Sequence, residues 1–230
     1  MGLIALEGNP PIPVILRRSA RAKRISLRLS SLDGRVTLTL PRFVPEAEGI
    51  AFLRAKEDWL RGHLAKQVSH VAISAGSVLP VEGRDLTLHP AQGRRISVED
   101  DRLLIPGEPD RMATRARTFL KTLARERLVT ASDHYADLLG KPYSRITLRD
   151  TRSRWGSCSS TGGLSYSWRL ILAPPDVLRY VAAHEVAHLA EMNHSDRFWR
   201  VVEELYGPWK AQRHWLRQNG PRLHGYRFDD

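Results

Sequence analysis

The chain is most constrained near its C-terminal end, where three histidines follow one another at fixed spacings. His184 and His188 are four positions apart, and Glu185 directly follows the first of them. In an α-helix, residues four apart lie one turn above each other on one face, so the two imidazoles can converge on one metal ion. Glu185 is then placed to hydrogen-bond a water molecule at that ion. The segment therefore predicts a helix that carries a metal site.

His194 is the candidate for a third ligand, which would leave the fourth position of a tetrahedral ion open. In an unbroken helix His194 would lie ~9 Å along the axis from His188, too far to share the ion. The helix must therefore end between them. Asn193 suits a left-handed reversal at that point, and Ser195 can cap the next helix.

The remaining patterns predict two parts, a β-rich N-terminal region over 1–108 and a second region over 109–230, with a junction near Gly107. Alternating apolar residues around the turn Asp33-Gly34 predict a basic β-hairpin. Apolar residues at helical spacing predict one long helix over 45–67 in the N-terminal region. The other predicted elements are small antiparallel strands between 78 and 105, a helix over 109–139, and strands at 146–148 and 164–172.

The chain has a formal net charge of +11, and the excess is concentrated in two segments. Residues 1–44 contain eight Lys or Arg against two acids, and residues 141–170 contain six against one. The predicted metal helix and its continuation, 174–205, have six acids against three arginines. The positive charge therefore indicates recruitment of a nucleic acid or another phosphate-rich partner, chiefly by the N-terminal hairpin, rather than chemistry.

The single cysteine, Cys158, excludes an internal disulfide and favours a reducing compartment. The first residues lack the basic start of a signal peptide, and no uncharged apolar run approaches the ~18 residues that cross a bilayer. We expect a cytoplasmic protein without a membrane partner. The sequence leaves the oligomeric state open.

Four further residues allow two interpretations each. Cys158 could be a nucleophile, but no histidine or second thiol is adjacent, which favours an ordinary turn cysteine. Arg154 and Arg169 could hold a carboxylate or phosphate of a substrate, or could be solvated. Trp155 could stack on a substrate, although aromatic residues at this spacing more often belong to the core.

The metal-site segment is one of three motifs in the C-terminal half: residues 152–159 (RSRWGSCS), 168–175 (WRLILAPP) and 184–199 (HEVAHLAEMNHSDRFW). Together they resemble the YgjP-like metallopeptidase family and, more distantly, the SprT and WLM proteases, which act on DNA-protein crosslinks. The N-terminal half fits more loosely. The resemblance implies an α+β, zincin-like domain with a mixed sheet and an active-site helix. It also implies His184, His188 and His194 as Zn2+ ligands and Glu185 as general base.

Three functions remain open from the sequence. The first is a zinc-dependent peptidase that acts on polypeptides, including proteins associated with nucleic acid. The second is a metal-dependent hydrolase of nucleotides or other phosphoanhydrides, favoured by the basic residues of 141–170. The third is a nucleic-acid-binding module with a structural metal.

Overall fold

The computed structural model describes residues 2–30, 34–64 and 70–228. The chain divides into two units, unit 1 (Met1–Ser69) and unit 2 (His70–Asp230). Both combine sheets with helices, as expected for the α+β class. Of the helices that the described residues form, none is long and apolar enough to span a membrane.

Unit 1 is a four-stranded sheet covered on one face by two helices. Its elements are β1 (Gly2–Leu6), β2 (Ile12–Ser19), β3 (Ser26–Leu29), β4 (Val36–Pro41), α1 (Glu46–Ala55) and α2 (Glu57–Leu64). The strand order is β1-β2-β4-β3, and β3 pairs with β4 antiparallel. The predicted basic hairpin is thereby confirmed for its two strands, whereas Asp33 of the predicted turn lies outside the described residues. Alternate apolar residues, such as Leu38 and Leu40, pack against Leu53 and Leu60 of the helices.

The single helix predicted over 45–67 is wrong for the described residues, which form two shorter helices. The chain leaves the first helix at Lys56, whose φ is −108° and ψ is 10°. Glu57 and Asp58 then occupy the first turn of α2, where negative charges favour a new helix start. Residues 65–67 lie outside the described part of the chain.

Unit 2 begins with small strands and continues with helices and a second sheet. Its first strands are β5 (Val71–Ala72), β6 (Val78–Val81), β7 (Arg84–Ala91), β8 (Ser97–Glu99) and β9 (Arg102–Pro106). These are followed by α3 (Met112–Leu139), β10 (Arg145–Arg149), β11 (Gly156–Cys158) and β12 (Gly163–Ser167). The last elements are α4 (Pro175–Ala187), α5 (Asp196–Tyr206), α6 (Lys210–Leu223) and β13 (Tyr226–Arg227).

The small strands of unit 2 are not all antiparallel, contrary to the sequence-based expectation. They form a sheet of order β6-β7-β9-β8, in which β7 and β9 are parallel neighbours. The same order, with a parallel pair in the middle, occurs in unit 1, where β2 and β4 are parallel. Alternation of apolar residues identifies a strand but not the direction of its partner.

The division of the chain differs from the junction predicted near Gly107. Leu88, Leu103 and Ile105 of the small sheet belong to the same hydrophobic core as Leu120 and Leu128 of α3. This shared core joins the strands before Gly107 to the helix after it. The boundary between the units consequently falls between Ser69 and His70.

The strand predicted over 164–172 ends at Ser167. Residues Trp168–Leu172 form a 3-10 helix, and all five of them are buried. Their alternating pattern is misleading because side chains on every side of this segment enter the core. β12 itself is the middle strand of the sheet β10-β12-β11, parallel to β10 and antiparallel to β11.

Candidate metal site

The three histidines come together at the C-terminal end of α4. His184 lies on the last turn of the helix, and His188 is its C-cap residue. His194 returns from the following loop, so that one ring nitrogen from each histidine lies within 4.8 Å of the others. The Nε2 atoms of His184 and His194 are 3.2 Å apart. The helix therefore ends between the second and third histidines, as the spacing predicts.

The loop between His188 and α5 is held by side-chain caps rather than by a left-handed residue. Among the described residues other than glycine, only Glu82 and Asp100 have a positive φ, so the predicted reversal at Asn193 is wrong. The Asn193 Oδ1 instead accepts a hydrogen bond from the Ser195 N–H at 3.1 Å. Ser195 caps α5, as predicted, by accepting from the Phe198 N–H at 3.4 Å.

The protonation of the cluster fits a cation. The Nδ1 of His188 lies 2.9 Å from the backbone oxygen of Glu191, which assigns the ring proton to Nδ1 and leaves the Nε2 lone pair free. Burial, and then the neighbouring His188 and His194, lower the pKa of His184 to about 3. Burial also lowers the pKa of His188. Neutral imidazoles with converging lone pairs are the donor set that a borderline-soft divalent ion such as Zn2+ prefers.

Phe198 of α5 contacts all three histidines. Its ring centroid lies 4.9 Å from that of His184, 4.4 Å from that of His188 and 4.8 Å from that of His194, and the side chain is fully buried. Trp199 packs against His184 and His194 from the same helix. These aromatic contacts restrict the imidazole rings to one orientation and exclude water from one side of the cluster.

Glu185 is buried between α4 and β11. Its side chain approaches Gly156 so closely that a Cβ at that position would lie 2.5 Å from the Glu185 Cγ and Oε1. Burial raises the pKa of Glu185 to about 8, and the positive charge of Arg154 opposes that rise. β11 is an edge strand of its sheet, whereas β12 is the middle strand.

Arg169 is not available to a substrate, and this corrects its assignment as a candidate substrate-binding residue. Its Nε and Nη2 donate to the two carboxylate oxygens of Asp150 at 2.7 and 3.1 Å. Its Nη1 donates to the backbone oxygens of Leu223 and Tyr226. The side chain is buried because it ties the end of β10 to the C-terminal segment.

Trp155 is likewise a packing residue, whereas Arg154 stays exposed. The Trp155 indole lies against Gly220 and 5.1 Å from the His224 ring, so α6 and the residue after it cover part of the indole. Arg154 projects into solvent close enough to Glu185 to influence its pKa. Of the three candidates for substrate binding, Arg169 is excluded by its burial, Arg154 is exposed, and Trp155 keeps a partly exposed surface.

Cys158 does not have the features of a nucleophile. The thiol is half-buried, and burial together with the negative charge of Glu185 raises its pKa. It is consequently protonated at neutral pH, as expected of an ordinary cysteine, although it ends strand β11 rather than lying in a turn.

Two important residues escape reasoning from the sequence alone. Gly156 matters through its close approach to Glu185, and only its place in the motif Trp-Gly-Ser-Cys could have indicated it. Asp150 matters as the partner of Arg169. The available signal was that Asp150 is the lone acid among six basic residues in 141–170.

A helix that ends in converging imidazoles beside a buried carboxylate has the arrangement of a metal-dependent hydrolase, and a family model identifies the class as metallopeptidase. A family model described as the YgjP-like metallopeptidase domain matches residues 23–219, which is most of the chain. The chain belongs to the YgjP-like metallopeptidase family. A search of curated proteins gives no match.

Among solved structures, the chain is similar to the crystal structure of the metallopeptidase zymogen of Pyrococcus abyssi abylysin. The identity is 23%, and the similarity covers 40% of this chain and 92% of that one with a TM-score of 0.36.

Proposed function

We propose that this metallopeptidase is a zinc enzyme in which His184, His188 and His194 hold the ion and Glu185 is the general base. The observation that supports it most is the convergence of three imidazole nitrogens within 4.8 Å at the end of α4, with Glu185 buried on the same helix. Three protein ligands leave a fourth position open, as in catalytic rather than structural zinc sites.

Each residue then has a separate part in peptide hydrolysis. A bound zinc ion supplies Lewis-acid catalysis, which polarises a carbonyl group and lowers the pKa of water. The Glu185 carboxylate accepts the proton of the attacking water and later donates it to the leaving amine. A carboxyl group with a raised pKa is a stronger base once ionised, which suits proton transfer near neutral pH.

The edge strand β11 supports a polypeptide as the substrate. Among the described residues it pairs with β12 alone, so its other edge has no strand partner and could take an extended chain. Gly156 of this strand touches Glu185, so a peptide added there would pass close to the general base.

Substitutions at the site test this function. Glu185→Gln keeps the three imidazoles and should bind one zinc ion per chain without hydrolysing peptides. His188→Ala and His194→Ala should each lose zinc. The measurements are metal content by mass spectrometry and cleavage of quenched fluorescent peptides and denatured casein. Full activity of Glu185→Gln would remove Glu185 as the base, and unchanged zinc in His194→Ala would exclude the third ligand.

The same preparations address nucleotide hydrolysis. Release of phosphate from nucleoside triphosphates, lost in Glu185→Gln and unaccompanied by peptide cleavage, would replace the peptidase with a phosphoanhydride hydrolase. The peptidase predicts the reverse pattern.

We also propose that its substrates include proteins associated with nucleic acid. The sheet of unit 1 and its connections, residues 1–44, have eight basic residues against two acids, whereas α1 and α2 begin with acidic residues. Arg17 and Arg28 are exposed and alternate with the core-facing positions of β2 and β3. In the register of the sheet they lie beside Thr39 and Thr37, which places two cations and two hydroxyl groups on its outer face.

Binding of duplex DNA by the Glu185→Gln protein tests this second proposal without interference from cleavage. The double reversal Arg17→Glu/Arg28→Glu should weaken binding and reduce its dependence on salt concentration. The matched control is Arg54→Glu/Lys56→Glu, two exposed cations on the helix side of the same unit. Equal affinities of both double variants and the parent protein would contradict the proposal.

A further inference from the structure

A groove of unit 2 lies between α3 and β10, at the edge of the sheet opposite β11. Its volume is about 580 Å3. Four residues of α3, the consecutive residues 146–150 and the indole of Trp168 line it. The histidines and Glu185 are not among them, so the groove is separate from the metal site.

The strand side of the groove is a free edge. Among the described residues β10 pairs with β12 alone, in parallel, so its other edge has no strand partner. Residues 146–150 all line the groove. Because successive side chains of a strand point to opposite faces, a run of consecutive lining residues indicates that the edge of the strand, with its backbone groups, faces the groove. An unpaired edge offers alternating N–H donors and carbonyl acceptors to an extended chain.

The helix side of the groove is cationic. Lys121 and Arg125 are exposed and four positions apart, so both lie along the same face of α3, and Arg149 adds a third cation at the end of β10. The single acid of the lining, Asp150, accepts hydrogen bonds from the Nε and Nη2 of Arg169. Three positive charges therefore face the groove without an acid of the lining to neutralise them.

The two walls together select the chemistry of a ligand. Phosphate groups only accept hydrogen bonds, so a phosphate backbone lying along β10 would offer no donors to the carbonyl groups of its edge. An extended polypeptide satisfies both the N–H and the carbonyl groups, and acidic side chains on it meet Lys121, Arg125 and Arg149. We infer that this groove binds an extended, acidic segment of another polypeptide, which adds to β10 as a further strand.

This inference concerns binding alone and holds whether or not the proposed zinc chemistry is correct. The test uses the full-length Glu185→Gln protein and a fluorescein-labelled peptide of alternating Glu and Val, about eight residues long, within the usual length of a strand. Binding is measured by fluorescence anisotropy. One comparison peptide has Lys in place of Glu. Two others have backbone N-methyl groups at every second residue, one peptide at the odd and the other at the even positions, so that each lacks the N–H donors of one edge.

The Glu peptide should bind and the Lys peptide should not. One N-methylated phase should lose binding and the other should retain it, because only one edge of the added strand faces β10. The double reversal Lys121→Glu/Arg125→Glu should weaken binding by about tenfold or more. The matched control, Arg94→Glu/Arg95→Glu, changes two exposed arginines between β7 and β8. Its affinity for the Glu peptide should stay within about twofold of that of the parent protein.

Other outcomes would overturn the inference. Equal binding of both N-methylated peptides would exclude strand addition. This comparison uses the same protein throughout, so it does not depend on whether a variant folds. If the control reversal weakened binding of the Glu peptide equally, the effect would come from the net charge of the protein and not from the groove. If the Glu peptide does not bind, and duplex DNA binds the parent protein but not the Lys121→Glu/Arg125→Glu variant, the groove would be a phosphate site.

Discussion

Gly156→Ala should change the position of Glu185, the proposed general base, without changing a proposed metal ligand. The added methyl group would lie 2.5 Å from the Cγ and Oε1 of Glu185 and 2.7 Å from its Cδ. Normal contacts between such atoms are about 3.5 to 4 Å, so the carboxylate must move by about 1 Å. Glu185 is 5% exposed and has little free space into which to rotate. The backbone of Gly156 is not left-handed, so the effect comes from contact rather than from strain.

A misplacement of about 1 Å in a catalytic group reduces the rate by about 100-fold, which corresponds to about 2.7 kcal/mol in the activation free energy. We therefore expect kcat of Gly156→Ala to fall by about two orders of magnitude while one zinc ion per chain is retained. Overpacking should also lower the free energy of unfolding by about 1 to 3 kcal/mol. Peptide cleavage under saturating substrate, metal analysis and urea unfolding measure the three quantities.

Two further variants make this prediction refutable. Gly62→Ala adds the same methyl group in α2, where no atom lies within 4 Å, and should leave kcat unchanged. In the Glu185→Gln background Gly156→Ala should cause no further loss, because both changes act on one group. A kcat of Gly156→Ala within about threefold of the parent, with zinc bound, would show that Gly156 does not position the base.

Three other predictions follow from the contacts of the site. Arg169→Met should lower the free energy of unfolding by about 1 to 3 kcal/mol at pH 7, because it leaves two carbonyl groups without their donor and removes the ion pair with the partly exposed Asp150. Burial alone would raise the pKa of Asp150, but Arg169 outweighs it and holds that pKa below its usual value. The part of the stabilisation that comes from Asp150 is therefore present above the unfolded-state pKa of about 4 and is lost as the pH falls through the lower folded-state pKa. The difference between parent and variant should shrink in strong acid but persist, because the bonds to the two carbonyl groups do not titrate. Ser195→Ala should cost about 1 kcal/mol in thermal unfolding and weaken zinc affinity in chelator competition, because the cap holds the loop that carries His194. Arg154→Met should raise KM in peptide cleavage while zinc content and stability stay unchanged; unaltered KM would exclude substrate contact.

The candidate site could be predicted because its geometry is local. The spacings from His184 to His188 and His194 fix which residues share a helix face and where the helix must end. The capping role of Ser195 depends only on its neighbours, and it is confirmed. The end of the helix before His194 was predicted correctly, but it falls at His188, and the Asn193 side chain bonds to the backbone of the loop where left-handed backbone was expected.

The rest could not be predicted because it depends on contacts between distant parts of the chain. Arg169 is buried by bonds to Leu223 and Tyr226, which are 54 and 57 residues away. Trp155 is covered by Gly220 and His224, which no local pattern reveals. Parallel pairing of β7 with β9 likewise depends on which hairpins dock together, and the alternation within each strand carries no such information.

The core shared by the small sheet and α3 limits how the catalytic part of the chain can be isolated for study. A fragment that starts at Pro109 would keep every residue of the metal site, but it would expose the face of α3 that Leu88, Leu103 and Ile105 normally cover. Because β7 and β9 are parallel neighbours, the four-stranded sheet forms only when both hairpins, β6-β7 and β8-β9, are present. A fragment for expression should therefore begin near His70, and one that begins after Gly107 should aggregate.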